Sequence, residues 1–348
     1  MHIAVSLCGE GSGHATRMSA LCQQLAGRHR VTVWCPEHTR EFMRPLLPEC
    51  RFESLPWIRT VYDGNRVKIA ATVRANAGTF LRSGKLVGEL ARALDDLAAD
   101  AVVSDYEPFL VLAARRARIP AIRFSNQAVI DRHPALRLSW LVAWLTNRLM
   151  MPPAQAQVVS SFYNGDVGAL VRSELAGRRG ERENFVLVYA RHGFAEQILP
   201  VLKAFPGQEF RIFPSDRHDF AQSLAACRGV IAPAGHQLTS EAAHLGRPLL
   251  AFPQENQYEQ ELNARMLERS GWGMRGRTDH TLEDVDRFLR FMPYFPLRRP
   301  DRGVLFRFHD CTDLAAERVE HLLTAHQAGR RQRPLRRSRR VRLPRVAT

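Results

Sequence analysis

The chain has 348 residues, with 50 Lys+Arg against 35 Asp+Glu and a formal net charge of +15. With 45% hydrophobic and 24% charged residues it falls outside the disordered and fibrous classes, and its length suits two domains of about 150 residues each. A charge this large raises nucleic acid or an anionic membrane as partners; yet 47 of the 50 basic residues are Arg, and the nine beyond His321 meet no acid, so the rest of the chain carries only +6.

Residues 2–7 (HIAVSL) have the pattern of a buried strand. No basic leader precedes them, so a first strand is expected and not a signal peptide. CGEGSG follows, then an amphipathic helix over 15–27 and a second strand over 30–35 (RVTVWC). Strand, glycine turn, helix, strand is the opening of a parallel α/β unit. Leu86, Leu90, Leu94 and Leu97 form a helical stripe within 85–99. A strand over 101–104 ends at Asp105, a helix is expected over 109–117, and another strand over 119–124 despite Pro120. Residues 138–151 (LSWLVAWLTNRLMM) are apolar. They are shorter than the roughly 18 residues a bilayer span needs, and Asn147 and Arg148 interrupt them.

A Pro-Pro pair at 152–153 and a polar stretch over 164–180 mark a boundary, with RSELAGRRGERE reading as a solvated linker. Alternation then restarts. Strands are expected over 185–189, 210–213, 229–232 and 248–252, and helices over 197–204, 220–227, 238–245 and 260–270. Each half is therefore a doubly wound α/β domain. The domains are set at 1–165 and 184–325, with a linker at 166–183 and an Arg-rich tail at 326–348 expected to be disordered. The six cysteines are scattered, with no Cys-x-x-Cys pair, which gives no zinc signature or disulfide framework. A reducing cytosol is the simplest location.

Three groups of residues carry chemistry. Gly9-Glu10-Gly11-Ser12-Gly13-His14 joins a strand to a helix. There glycines bring backbone N–H groups to a ligand, and the helix start favours an anion. His14 adds an imidazole, the side-chain type best suited to acid–base chemistry at physiological pH. The run lacks a complete dinucleotide fingerprint, and no Lys follows to make a Walker loop. Asp105 lies at the carboxyl end of a strand, where ligand crevices form. It can orient His14 or simply cap the helix that follows. The third group spans residues 231–264: Gly235, His236 and Gln237 open a helix, with Thr239 and Glu241 in its first turns and Glu259 and Gln260 beyond the next strand. The helix start suits a phosphate, Glu241 can accept two vicinal hydroxyls of a ribose, and Glu259 and Gln260 can bond sugar hydroxyls. Each of these carboxylates is also a good helix-start residue. Asp284-Val-Asp286 imitates a metal motif but stands at a helix start after Thr281, and reads as capping and surface charge.

Together, G-x-G-x-G-H near the start, an Asp after a mid-domain strand and the block AGHQLTSEAAHLGRPLLAFPQENQYEQELNA resemble the GT-B glycosyltransferases. Within them the chain is most similar to the MurG-like, family 28 group and its branch of uncharacterised bacterial and archaeal proteins. The resemblance reaches residue 325 or so, and its C-terminal block is the more specific part. It implies two Rossmann-like domains facing a cleft, the first on the acceptor side and the second holding a nucleotide-sugar donor, with UDP the expected nucleotide. His14 is similar to the catalytic base and Asp105 to the acid paired with it. Glu241 matches the ribose-binding glutamate, and Glu259 and Gln260 match the acid/amide pair that grips the donor sugar. Gly11, Gly13, Arg191, Gly235, His236, Gln237 and Thr239 complete the expected nucleotide-sugar site. Ala232-Pro233-Ala234 departs from the His-Gly-Gly that better-known members carry, which leaves open whether His236 takes that histidine's place.

The implied reaction is an inverting, metal-independent displacement that needs no cofactor beyond the donor, with a lipid, glycan or small-molecule hydroxyl as acceptor. Residues 138–151 add an expected peripheral contact with the inner face of the membrane, and no specific nucleic acid is expected. Two other readings stand beside it: a nucleotide-sugar hydrolase or epimerase of the same fold, and a nucleic-acid-binding protein acting through the Arg-rich tail.

Overall fold

Continuous apolar runs such as IAVSL and AVVS lack polar alternation, the pattern of strands covered on both faces. In the computed structural model, which describes residues 1–331 apart from Asn65, Ala176, residues 178–181 and His192, these runs become the centres of two parallel sheets. The first half contains β1 (His2–Leu7), α1 (Gly11–Ala26), β2 (Arg30–Cys35), α2 (Glu37–Met43) and β3 (Arg51–Ser54). A small hairpin follows, β4 (Tyr62–Asp63) and β5 (Arg66–Val67), and then α3 (Ile69–Leu81) and α4 (Ser83–Asp96). β6 (Ala101–Asp105), α5 (Pro108–Ala117), β7 (Ala121–Ser125), α6 (Leu138–Met150) and β8 (Ala156–Val159) complete it. The sheet order is β3-β2-β1-β6-β7-β8, every pair parallel. Its order reverses beside β1 and β6, the position at which doubly wound sheets open a crevice.

The second half repeats the plan with β9 (Phe185–Tyr189), α7 (Gly193–Leu202), β10 (Glu209–Phe213), α8 (Phe220–Ala226), β11 (Gly229–Pro233) and α9 (His236–His244). β12 (Leu249–Phe252), α10 (Tyr258–Ser270), β13 (Gly273–Arg275) and α11 (Thr281–Phe291) follow. Its parallel sheet has the order β10-β9-β11-β12-β13, reversing beside β9 and β11. All six cysteines are free.

Several boundaries differ from the sequence reading. α1 starts at Gly11, so the glycine run forms its first turn; Gly11 sits there with φ +66°, a conformation that costs little only without a Cβ. The expected linker is substantially core: Val167, Ala169, Leu170, Val171 and Leu175 are buried, and its residues 178–181 lie outside the described set. The last helix, α12 (Thr312–Arg331), does not join the second sheet. Its Ala315, Ala316, Val319 and Leu323 pack with Met18, Leu21 and Leu25 of α1 in the first core. It also extends through residues 326–331, which were expected in the disordered tail; the remainder of that tail lies outside the described residues.

The two halves share a third body of apolar contacts. Ala128, Val129, Ile130, Phe162 and Tyr163 pack against Tyr258, Leu262 and Met266. Tyr258 donates its hydroxyl to the carbonyl of His133 at 2.9 Å, and Tyr163 donates to Asn263 Oδ1 at 2.9 Å. This interface orients the carboxyl ends of the two sheets toward one cleft.

Candidate active site

The cleft has a volume of about 1050 Å³ and is lined from both halves. His14 enters it from the first turn of α1. Asp105, at the end of β6, lies beneath His14, fully buried, with Oδ2 3.0 Å from His14 Nδ1. The sequence left open whether Asp105 caps the next helix. In the structure Glu107 does so, accepting from the backbone N–H groups of Phe109 (2.7 Å) and Leu110 (2.9 Å) and freeing Asp105 for His14.

A third member of this cluster escaped the sequence reading. Arg17 lies one helical turn beyond His14 and is 3% exposed. It grips Asp105 with both arms of its fork, Nε to Oδ2 at 2.7 Å and Nη2 to Oδ1 at 2.8 Å. Burial alone would raise the Asp105 pKa, but Arg17 and His14 outweigh it and hold the carboxyl below its ordinary range. Tyr106 stacks beside the imidazole, ring centroids 6.0 Å apart, and holds a left-handed backbone (φ +55°) that is strained for a tyrosine. Its hydroxyl donates to Asn147 Oδ1 at 3.0 Å. Asn126 and Gln127 follow the end of β7 and face the same cleft. Their position just past a strand end is the signal that singled out Asp105, and it applied equally to them.

α9 begins opposite α1. The backbone of Gly13 approaches it so closely that a Cβ there would lie 3.4 Å from Gln237 Cβ, while at Gly235 the space a Cβ would occupy is open to the cleft. Gly11, Gly13, Arg191, Gly235, His236, Gln237, Glu241, Glu259 and Gln260 all border the cleft. Thr239 does not: it is fully buried on the far side of α9, and its hydroxyl bonds back to the Gly235 carbonyl at 2.8 Å. The His236 side chain also turns from the ligand space. Its Nε2 lies 3.2 Å from Ser161 Oγ, its ring packs against Phe162 and Tyr163, and burial pushes its pKa down to about 3. A neutral imidazole in that place adds no positive charge for a phosphate, so only its backbone N–H remains for that task.

Glu241 is fully buried and already engaged. Arg172 donates Nε to Oε1 at 2.9 Å and Nη2 to Oε2 at 3.0 Å, and Gln237 donates to Oε1 at 2.9 Å. Burial works against the Arg172 charge, but Glu241 outweighs it and the guanidinium pKa is raised. A carboxylate offers about four acceptor positions; among the described residues the open one is on Oε2. The expected grip on two vicinal hydroxyls thus becomes one hydroxyl, or two if Arg172 swings away. Arg172 belongs to the stretch read as linker, which is why the sequence concealed it. Glu259 accepts from Asn126 Nδ2 at 2.8 Å across the domain junction. The buried Asn126 Oδ1, itself in the cleft wall, has no partner among the described residues. Gln260 clamps the preceding loop through Gln254, by Oε1 to its backbone N–H (3.0 Å) and Nε2 to its Oε1 (2.8 Å).

The first-domain wall of the cleft is largely apolar: Ile58, Ile69, Val73 and Phe80 face Val142, Ala143 and Met150. Two of its polar side chains, Asn76 and Thr146, are engaged internally. Asn76 bonds Arg59 twice and the Thr72 carbonyl, and Thr146 bonds the Val142 carbonyl. No described helix is long and apolar enough to cross a membrane. Asp284 departs from the expected capping and surface charge: it is buried and accepts from the backbone N–H of Arg277 at 2.7 Å and from its guanidinium, whereas Asp286 pairs with Arg290 at the surface.

A family model described as glycosyl transferase family 1 matches residues 1–293. An uncharacterized glycosyltransferase of Methanosarcina acetivorans is 24% identical, covering 78% of this chain and 85% of the relative. Another, of Methanosarcina mazei, is 23% identical with coverage of 78% and 85%. Among solved structures, MurG of Acinetobacter baumannii is similar with a TM-score of 0.56 at 17% identity, covering 94% of this chain and 99% of that one. LpCGTa, crystallised in complex with UDP, has a TM-score of 0.61 at 14% identity, covering 93% and 99%. CalG4, the calicheamicin glycosyltransferase, has a TM-score of 0.55 at 15% identity, covering 93% and 98%. At such identities these structures speak to the fold, which is GT-B, while the family match spans most of the chain. The chain belongs to glycosyl transferase family 1 and is a glycosyltransferase.

Proposed function

We propose that the enzyme transfers a sugar from a nucleotide-diphosphate donor, UDP-linked by preference, to an acceptor hydroxyl in a single inverting step. The observation that carries this reading is the His14–Asp105 pair facing the start of α9 across one cleft. His14 Nε2 removes the acceptor proton as that oxygen bonds the anomeric carbon. The bond from the anomeric carbon to the diphosphate oxygen breaks through an oxocarbenium-like state, and its electron pair leaves with the nucleotide. The departing charge is met by the N-termini of α1 and α9 and by Arg191, and no metal takes part. Glu259, Gln260 and Asn126 orient the sugar, and Glu241 accepts a ribose hydroxyl.

The apolar first-domain wall supports an acceptor that is apolar next to its hydroxyl, a lipid or hydrophobic small molecule rather than a glycan. α6 exposes Leu138, Leu141 and Leu145 between Arg137 and Arg148, and Leu149 just beyond, which supports contact with an anionic lipid surface. Kinship with family 28 rests on the motif block over residues 234–264. A thermal-shift screen of nucleotides and nucleotide sugars identifies the donor, since ligands of the native state raise its stability. With that donor and an alcohol acceptor, His14→Asn should lower kcat by about 10²–10⁴-fold, the range of general-base catalysis. Unchanged turnover would remove His14 from the base role, and sugar release without an acceptor would make the enzyme a hydrolase.

A further inference from the structure

The nitrogen of His14 buried beneath the cleft is contested. Asp105 Oδ2 lies 3.0 Å from Nδ1 and calls for a proton on it, whereas Arg17 Nη2 lies 2.6 Å from the same Nδ1 and calls for a lone pair. One nitrogen of a neutral imidazole cannot satisfy both. If Nδ1 holds the proton, Nε2 faces the cleft as a base. If Nδ1 accepts from Arg17, Nε2 carries the proton and has no free lone pair with which to take another. The His–Asp pair alone therefore does not fix the chemistry of this histidine.

Gln127 supplies the deciding contact. Its side-chain Nε2 is 3.4 Å from His14 Nε2. Its amide orientation is fixed from the other end. Ser125 Oγ accepts from the Gln127 backbone N–H at 3.1 Å and directs its own proton to Gln127 Oε1 at 2.7 Å. Arg17 Nη2, which can only donate, also faces Oε1, at 3.4 Å. Turning the amide over would set donor against donor at Arg17. The amide nitrogen must then face His14, and a donor there requires a lone pair on His14 Nε2. Gln127 is 7% exposed, and Asn147 Nδ2 holds its carbonyl at 2.9 Å, so the side chain has little room to leave.

We propose that Gln127 is a positioning residue that locks His14 in the tautomer protonated on Nδ1, against the competing pull of Arg17. Arg17 fixes Asp105 with two hydrogen bonds, and in doing so brings a donor against Nδ1 that would turn the ring into the inactive tautomer. Gln127 cancels this effect. The catalytic consequence rests on the general-base reading above; the tautomer does not.

The test reads the tautomer directly. The protein is labelled with 15N-histidine, His14 is assigned by the loss of its signals in His14→Asn, and the protonation of each ring nitrogen is read from its nitrogen shift and ring-proton couplings. In the wild type Nδ1 should carry the proton and Nε2 should be bare. In Gln127→Glu the donor becomes an acceptor, and Nε2 should become protonated. Gln127→Met adds no buried charge and removes the donor; the proton should pass from Nδ1 to Nε2 as Arg17 takes the lone pair. A proton on Nε2 in the wild type, or a bare Nε2 in both variants, would overturn the proposal. Kinetically, Gln127→Met should lower kcat by about 100-fold with KM little changed. A switched tautomer with undiminished kcat would leave the proposal standing and dismiss His14 as the base.

Discussion

Glu241 and Arg172 offer a test in which stability and ligand binding separate. The Glu241 carboxylate is 0% exposed and the Arg172 side chain 18%. Glu241→Ala deletes the partner of a mostly buried guanidinium, and breaking a buried pair in this way costs about 3–5 kcal/mol. The partial exposure of Arg172 places the loss near the lower end, about 3 kcal/mol. At about 2–4 °C per kcal/mol for a chain of this class, the melting temperature should fall by roughly 6–12 °C. Replacing both residues by Met removes both charges at similar volume and should stay within about 1 kcal/mol of wild type. The double variant keeps near-wild-type stability, so ligand affinity is measured on it without the destabilisation of Glu241→Ala. Its nucleotide affinity should fall by about 100-fold, the equivalent of one or two hydrogen bonds to a charged acceptor. Differential scanning fluorimetry with and without UDP or the donor found in the screen reports both quantities. A loss below about 1 kcal/mol for Glu241→Ala would refute the buried-pair reasoning. Wild-type affinity in the double variant would refute the ribose role.

Two further outcomes follow from particular side chains. The His236 pKa lies at about 3 in the folded protein against an ordinary 6.5, so the unfolded chain binds a proton first as pH falls. The stability from its neutral form is complete above about pH 6.5 and lost progressively from there toward pH 3. His236→Phe keeps a ring against Phe162 and should show a shallower decline in melting temperature between pH 7 and 4; parallel declines would mean the imidazole is not buried as described. On α6, Leu141→Glu with Leu145→Glu changes two exposed positions (42% and 53%) and should leave stability within about 0.5 kcal/mol per site. Sedimentation with anionic vesicles should drop by roughly tenfold, and equal sedimentation of variant and wild type would remove α6 from the membrane contact.

Much of the site was legible because parallel α/β units put ligands at the carboxyl ends of strands. Asp105 and the residues opening α9 announced themselves by standing just past an apolar run. Asn126 and Gln127 obeyed the same rule but carry amides, which have no proton chemistry of their own to draw the eye; their importance lies in what they bond. Arg17 was concealed among 47 arginines, and Arg172 inside a polar stretch whose apolar residues pack into the core. Thr239 and His236 show the reverse. Their types suited a phosphate site, but a helix start has several faces, and theirs turn inward.

The sequence by itself determined what is local: apolar runs that must be strands, stripes that must be helices, and a glycine-rich junction between β1 and α1. Tertiary structure decided what is distant. His14 meets Asp105 across 91 residues and Arg172 meets Glu241 across 69. α12 returns to pack on the first core, although it follows the second domain in the chain. Neighbouring residues dictate backbone conformation through sterics and periodicity. Which charge is neutralised, and which nitrogen of a histidine is left free, depends on side chains that only the packed fold brings within hydrogen-bond reach.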